Sequence, residues 1–75
     1  MKKLVVAWDN GENWLFLVDY KNETCEGIDY DLSPDEIKSY EKEFRETGKV
    51  SSAFGESYIY DIEELKKYKI IEEIA

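Results

Sequence analysis

Two apolar runs on either side of an Asn-Gly pair constrain the fold of this chain more than any other feature. Residues 4–8 and 14–18 are apolar, β-branched or aromatic, and Asn10-Gly11 lies between them. Asn-Gly is the strongest two-residue hairpin signal, because both residues tolerate the positive φ angles of a type I′ turn. The sequence therefore predicts a β-hairpin near its N-terminus.

A two-residue turn fixes which residues of the hairpin face each other. It sets Asp9 opposite Glu12 and Ala7 opposite Trp14, although the like charges of the first pair leave a longer loop open. With either loop both faces of the hairpin are apolar, whereas the strands of a sheet with one solvent-exposed face alternate apolar and polar residues. We therefore expect a helix on one face and a further cover on the other, supplied by a partner or by a second copy of the chain.

Residues 24–30 predict a third strand, which we place at an edge of the antiparallel sheet that the hairpin begins. Its charged residues, Glu26 and Asp29, suit an exposed edge, since charges there discourage pairing with other chains. Gly27 in its middle is a candidate β-bulge, because a glycine inside a strand often marks one.

The segment after the third strand carries the clearest helix signals. Ser33 and Glu36 form a capping box, with Pro34 at the first helical position. The helix is predicted to run over 34–47 and to end at Gly48, a residue that favours helix C-termini. Its apolar stripe is narrow, so the helix covers the sheet with one edge of its surface and exposes the rest. The stripe consists of Ile37, Tyr40 and Phe44.

The remaining chain predicts a short strand, a short helix and an extended end. Residues 57–60 carry the strand pattern, and Asp61 caps a helix over 62–68. If the helix continued, apolar residues would surround its whole circumference, so we prefer extended chain over 69–74 and keep continued helix as the alternative. The prediction is one small α+β domain over residues 1–75, with an antiparallel sheet that starts with the hairpin and is covered by one main helix (34–47) and a short C-terminal helix (62–68).

The composition provides few residues for catalysis, metal binding or cofactor binding. The chain has no histidine, which is the usual general base near neutral pH and the commonest metal ligand. Its single cysteine, Cys25, builds neither a zinc site nor a Cys–His nucleophile pair. The acids between Asp29 and Glu36 resemble an oxygen-ligand cluster, but the positions that an EF-hand gives to glycine and glutamate hold Pro34 and Tyr40. We therefore expect no enzyme activity, no metal site and no cofactor.

Most of the negative charge lies in one third of the chain. Residues 23–47 hold nine acids against three bases and so carry −6 of the net charge of −8. A localised negative surface repels nucleic acid and membranes and attracts basic protein surfaces. No apolar run approaches the ~20 residues of a membrane span, and residues 4–8 are too short for the apolar core of a signal peptide. These patterns predict a cytoplasmic protein that does not bind nucleic acid or membranes directly.

The acidic segment leads to the first functional hypothesis. Small, acidic, histidine-free chains resemble, in size, composition and charge alone, accessory proteins of bacteriophages and other mobile elements that inhibit host machinery by binding it. We accordingly expect a non-enzymatic, anti-CRISPR-like inhibitor whose DNA-mimicking surface binds a basic, nucleic-acid-binding protein such as a CRISPR effector, restriction enzyme or polymerase. Charge would supply steering, and exposed rings would supply anchors. The predicted partner-binding residues are Asp29, Asp31, Asp35, Glu36, Glu43, Glu46 and Tyr30, with Tyr58 and Trp8 as further rings.

The second hypothesis gives the same charge no role beyond solubility. The two apolar faces of the hairpin then favour a self-associating structural or scaffolding domain, a homodimer that buries Trp8, Leu15 and Leu17. The two hypotheses differ in what covers the hairpin and in whether the acidic residues contact a partner.

Overall fold

The computed structural model describes residues 2–55 and 58–74, and within them the hairpin lies inside a five-stranded antiparallel sheet. The strands lie side by side in the order β4-β3-β2-β1-β5. They are β1 (Lys2–Asp9), β2 (Glu12–Asp19), β3 (Thr24–Tyr30), β4 (Tyr58–Asp61) and β5 (Lys69–Ile74). An α-helix, α1 (Pro34–Thr47), follows β3, and a 3₁₀ helix (Ile62–Lys67) joins β4 to β5. This is the small α+β domain that the sequence predicts.

The hairpin of β1 and β2 has the register of the two-residue turn. Asp9 pairs directly with Glu12, so the longer loop is not used. Asn10 has a φ of 50° and Gly11 a φ of 85°, which are the positive values that a type I′ turn requires. The conformation of the turn outweighs the repulsion between the two carboxylates, because charges at the solvent end of a hairpin are screened by water.

Both ends of α1 are capped as predicted. The Ser33 hydroxyl accepts a hydrogen bond from the Glu36 amide at 3.3 Å, and the Glu36 carboxylate accepts one from the Ser33 amide at 3.0 Å. Gly48 ends the helix in the left-handed conformation, with a φ of 73°. Its amide donates to the Phe44 carbonyl at 2.7 Å and so satisfies one of the free carbonyls of the last turn.

One face of the sheet packs against α1. Phe44 is the buried residue of the helix, and Ile37 and Tyr40 lie partly buried against the same cluster. These three residues form the apolar stripe that the sequence predicts. The rest of this half of the core is aliphatic. It consists of Leu4, Val6, Leu15, Ile28, Leu32 and Ile74.

The other face is covered by the 3₁₀ helix and the residue that follows it. Ile62, Leu65 and Tyr68 pack, partly buried, against buried side chains of the sheet. The second cover that the apolar hairpin requires is therefore supplied by the chain itself. The buried side chains beneath it are Val5, Ala7, Phe16, Val18 and Cys25.

The last two elements match the preferred sequence interpretation. Asp61 caps the short helix by accepting a hydrogen bond from the Glu63 amide at 2.9 Å. The helix ends at Lys67, and Tyr68 follows it with an extended backbone (φ −116°, ψ 153°) that leads into β5. The short helix and the extended segment are thus confirmed, and the continued helix is not adopted.

The prediction that β3 lies at an edge of the sheet is wrong. β4 pairs with its first half, so that the edges of the sheet are β4 and β5. The strand predicted over 57–60 is this β4 from Tyr58 onward, and Ser57 lies outside the described residues. Of the two charged residues of β3, Glu26 lies opposite Ile59 of β4, and Asp29 lies beyond the four residues of β4. Further along β3, the neighbour is a loop whose Ala53 amide donates to the Ile28 carbonyl at 2.8 Å.

A β-bulge follows Gly27, as the sequence predicts. The pairing of β2 with β3 shifts between Leu15 and Phe16, so that β3 carries one extra residue, Ile28. Such an extra residue changes which face the following side chains occupy. As a result Ile28 and Asp29 both lie on the face that α1 covers.

Candidate binding surfaces

The charged residues of α1 are divided between two flanks of the helix. Residues three and four positions apart lie on the same side of a helix. Glu36, Tyr40 and Glu43 therefore share one flank. By the same spacing, the bases Lys38, Lys42 and Arg45 share the opposite flank.

The acidic side of α1 is organised around the hydroxyl of Tyr40. This hydroxyl donates a hydrogen bond to Asp29 Oδ2 at 2.8 Å and so joins α1 to β3. Partial burial raises the pKa of Tyr40 to about 12, and the hydrogen bond to Asp29 and the charges of Glu36 and Glu43 contribute further. Asp29 thus contacts this hydroxyl, Glu36 and Glu43 act on it through their charges, and we call these three residues the acidic flank.

The other predicted acids do not join the acidic flank. Asp31 is exposed in the turn between β3 and α1, with a φ of 56°. Asp35 is exposed in the first turn of α1, where the helix dipole favours a carboxylate. Glu46 lies with Lys42 and Arg45 along a shallow groove on the basic side of the helix. The structure therefore brings half of the predicted acids together and leaves the other half apart.

Two carboxyl groups meet where the basic side of α1 faces β5. A hydrogen bond with Glu72 raises the pKa of Glu41, because two carboxyl groups can share a hydrogen bond only when one of them is protonated. Partial burial of Glu41 acts in the same direction. Arg45, whose Nη1 lies 4.0 Å from Glu41 Oε2, opposes the shift together with Lys38.

Tyr30, the predicted anchor, lies on the other face of the sheet from the acidic flank. It pairs with Trp14 across β2 and β3, and its side chain remains 47% exposed. Its ring stacks on Trp14 with centroids 4.9 Å apart and on Phe54 with centroids 5.8 Å apart. The acids and the ring that the sequence assigns to one surface are therefore separated by the thickness of the sheet.

Tyr30 contributes to a concave site on this second face, which we call the aromatic pocket. Its volume is about 500 Å³. Gly27 leaves room in it, because a methyl group at that position would touch the Phe54 and Tyr60 rings at 3.6 and 3.7 Å. The pocket is lined by Trp14, Phe16, Gly27, Tyr30, Phe54, Tyr58, Tyr60, Glu64 and Tyr68.

Glu64 is the charged residue among the described residues of this lining. Both of its carboxylate oxygens lie 3.3 Å from Lys67 Nζ, but the Lys67 side chain is 69% exposed. The pKa of Tyr68 is raised, first by burial and then by the negative charges of Glu64 and Asp9. The aromatic pocket therefore combines apolar walls with a negative electrostatic potential.

The sequence predicted only two rings of the aromatic pocket, Tyr30 and Tyr58. Trp8, the third predicted ring, is exposed but does not line the pocket. Trp14 and Phe16 are two residues apart in β2 and therefore share a face of the sheet. The sequence pattern of the hairpin could have predicted this pair of rings. The rings from the loop, from β4 and from the end of the 3₁₀ helix are brought in only by the tertiary fold.

The described parts of the chain show no arrangement for metal or thiol chemistry. They contain no group of three or more His, Cys, Asp or Glu side chains that could hold a metal ion. Cys25 is fully buried, and burial raises the pKa of its thiol. A thiol in this environment is protonated and therefore a poor nucleophile.

Within residues 2–55 and 58–74, no helix has the length and apolar character needed to cross a membrane. Comparison of the chain with protein-family models, with curated proteins and with solved structures finds no match.

Proposed function

We propose that this protein is a non-enzymatic inhibitor that binds the nucleic-acid-binding surface of a basic host protein. The acidic flank is the observation that carries the proposal, because Asp29 accepts a hydrogen bond from the Tyr40 hydroxyl and the charges of Glu36 and Glu43 act on the same hydroxyl. Carboxylates held on a rigid helix and strand imitate the charge of backbone phosphates. The net charge of −8 adds long-range attraction to a basic groove.

A CRISPR effector, a restriction enzyme or a polymerase is the kind of target that this surface fits, since each contacts phosphates through lysine and arginine. The inhibitor would be encoded by a bacteriophage or another mobile element and act in the host cytoplasm. Asp31 and Asp35 are exposed near the start of α1 and extend the negative surface. Glu46 contributes less, because Lys42 and Arg45 lie beside it.

The first test removes charge from the acidic flank and leaves the helix capped. Glutamine at the third helical position completes a capping box as glutamate does, so the Glu36→Gln/Glu43→Gln variant keeps its fold. The partner is captured from a bacterial lysate with the tagged protein, purified, and titrated at about 0.1 M and about 0.5 M salt. We expect the variant to bind roughly 2- to 30-fold more weakly at the lower salt, since exposed charge contacts contribute about 0.2–1 kcal/mol each.

A matched control removes the same amount of charge elsewhere. Glu23 and Glu63 are exposed beyond the start of β3, at the opposite end of that strand from Asp29. The Glu23→Gln/Glu63→Gln variant should bind like the parent protein. Equal weakening in both variants would show that net charge, and not the acidic flank, attracts the partner. Mimicry itself would be contradicted if duplex DNA failed to compete with the inhibitor for the captured protein.

Self-association is a second candidate function, favoured by apolar side chains on the two edge strands. Ile59 in β4 is 65% exposed, and Ile71 in β5 is 53% exposed. Pairing of β4 between two copies would cover Ile59, and pairing of β5 between two copies would cover Ile71. Such a homodimer would use strand edges, because α1 and the 3₁₀ helix already cover the faces of the hairpin. A dimer that persists from micromolar to nanomolar concentration in sedimentation would support this function, and a monomer throughout would exclude it.

A further inference from the structure

We propose that the aromatic pocket binds the cationic side chain of a lysine or arginine from the partner protein. This inference rests on the proposed function, because it names the group through which a basic partner is anchored. Asp29 and Tyr30 are consecutive residues at the end of β3, so the acidic flank and the aromatic pocket meet there although they lie on opposite faces. One basic surface that wraps around this end of β3 can therefore contact both.

The shape and lining of the aromatic pocket fit a long side chain that ends in a cation. Lysine and arginine bury their aliphatic stems on apolar surface, and their cationic groups are attracted to the negative faces of aromatic rings. The pocket offers about 500 Å³ and seven rings, of which Trp14, Tyr30 and Phe54 stack in one row. The chemistry of the walls thus suits both parts of such a side chain.

The charge of the lining disfavours the other common ligands of aromatic sites. Among the residues that the structure describes, Glu64 is the charged lining residue, and neither lysine nor arginine forms part of the walls. Nucleotides and fatty acids are anions, and the described lining offers them no cationic group. A neutral apolar ligand would desolvate the carboxylate without replacing its lost interactions with water.

A cation avoids this cost because it can take the place of Lys67. The pair between Glu64 and Lys67 joins residues three positions apart on the surface, and the Lys67 side chain is 69% exposed. Such exposed pairs contribute only about 0–1 kcal/mol, so an incoming ammonium or guanidinium group exchanges with Lys67 easily. The Tyr hydroxyls of the lining provide further acceptors for its N–H groups.

The first experiment uses capped tripeptides as probes and needs no host protein. Gly-Lys-Gly and Gly-Arg-Gly carry the proposed groups, and Gly-norleucine-Gly is the uncharged counterpart of the lysine peptide. Binding is followed by the indole N–H resonance of Trp14 in NMR spectra, with Trp8, which does not line the pocket, as the internal reference. We expect the cationic peptides to shift the Trp14 resonance saturably and to bind about 5- to 30-fold more tightly than the norleucine peptide.

Two variants and one control locate the binding in the aromatic pocket. Glu64→Gln should reduce the affinity for the lysine peptide towards that of the norleucine peptide. Glu63→Gln is the control, because Glu63 lies in the same 3₁₀ helix and pairs with Lys66 at 2.6 Å but does not line the pocket. Gly27→Ala should also weaken binding, because the added methyl group occupies space in the pocket. The variant should keep its fold, because the methyl group contacts its neighbours at ordinary van der Waals distances.

The proposal is overturned by any of three results. The first is a norleucine peptide that binds as tightly as the lysine peptide. The second and third are an unchanged affinity for the lysine peptide in Glu64→Gln and in Gly27→Ala. Choline serves as a fourth probe. A Trp14 shift with choline but with neither cationic peptide would also overturn the proposal, because it would assign the pocket to a free organic cation. None of these results depends on the capture experiment with the acidic-flank variants, so failure of the pocket assignment and failure of the proposed function are distinguishable.

Discussion

At the scale of single residues, the contact between Tyr40 and Asp29 determines the geometry of the acidic flank. Asp29 accepts hydrogen bonds from the Tyr40 hydroxyl and from the Tyr30 amide, each at 2.8 Å. One carboxylate therefore fixes the helix relative to the end of β3. A binding surface that is ordered in this way before the partner arrives loses less conformational entropy on binding.

Replacing Tyr40 by phenylalanine tests this contact. The pKa of Tyr40 is raised from 10.0 to about 12, so the folded state holds the phenol proton more tightly than the unfolded state does. The resulting contribution to stability is present below the ordinary tyrosine pKa and is lost as the pH rises through the raised value. We expect Tyr40→Phe to lower the free energy of unfolding at neutral pH by about 1 kcal/mol, the usual contribution of one hydrogen bond.

Ultraviolet absorbance of tyrosinate after a rapid pH jump measures this ionisation before the protein unfolds. Tyr20 provides the control, because its hydrogen bond to Glu73 also raises its pKa to about 12. Tyr40→Phe and Tyr20→Phe should each reduce by one the number of tyrosines with a pKa of about 12. If Tyr40→Phe instead removed a tyrosine that ionises near pH 10.0, the contact with Asp29 would not exist in solution.

At the scale of secondary-structure elements, the meeting of α1 with β5 makes stability depend on pH. The hydrogen bond with Glu72 raises the pKa of Glu41 above 4.5, so the folded protein binds this proton more tightly than the unfolded chain. The contribution of this pair to stability is therefore fully present below the ordinary carboxyl pKa and is lost as the pH rises through the raised pKa of Glu41. We expect Glu72→Gln to remove this loss and to stabilise the protein at neutral pH by a few tenths of a kcal/mol, a typical effect of like-charge neighbours.

Chemical denaturation of the parent and of Glu72→Gln at a series of pH values checks this expectation. Glu46→Gln is the control, because Glu46 is an exposed acid of the same helix and lies beside bases. An equal gain in stability from Glu46→Gln would attribute the effect to net charge. A gain from Glu72→Gln that is as large in acid as at neutral pH would also contradict the assignment to this carboxyl pair.

Elements that depend on local signals could be predicted from the sequence. Asn10-Gly11 fixes the hairpin, and Ser33, Glu36 and Gly48 fix the two ends of α1, because turns and caps act within a few residues. The neighbour of β3 could not be predicted in the same way. β4 follows much later in the chain, and the pattern of a single strand does not identify the strand that pairs with it.

The candidate sites were less predictable than the elements, for the same physical reason. The helical period places Glu36 and Glu43 on one side of α1. Asp29 joins them only because the bulge at Ile28 moves it to the face that α1 covers. Its neighbour Tyr30 then occupies the opposite face. The sequence placed Asp29 and Tyr30 on one binding surface because they are adjacent in the chain, but the sheet separates them.

At the scale of the whole molecule, the two layers on the sheet differ in chemistry. The layer under α1 is an aliphatic core with a charged outer surface. The layer on the other side is rich in aromatic rings and leaves part of them open as the aromatic pocket. Large rings bury much area for each residue, so a small domain can maintain its core on this side and still expose rings for binding.

The pairing of β1 with β5 has a consequence for how the protein is made. Leu4 pairs with Ile74 and Trp8 with Lys69, so β1 finds this neighbour only after the rest of the domain has been synthesised. During synthesis the apolar β1 therefore has one unpaired edge, and such edges promote association between nascent chains. Pairings between residues so far apart also form slowly. The hairpin that is easiest to recognise in the sequence is thus the part most exposed to misassembly on the ribosome.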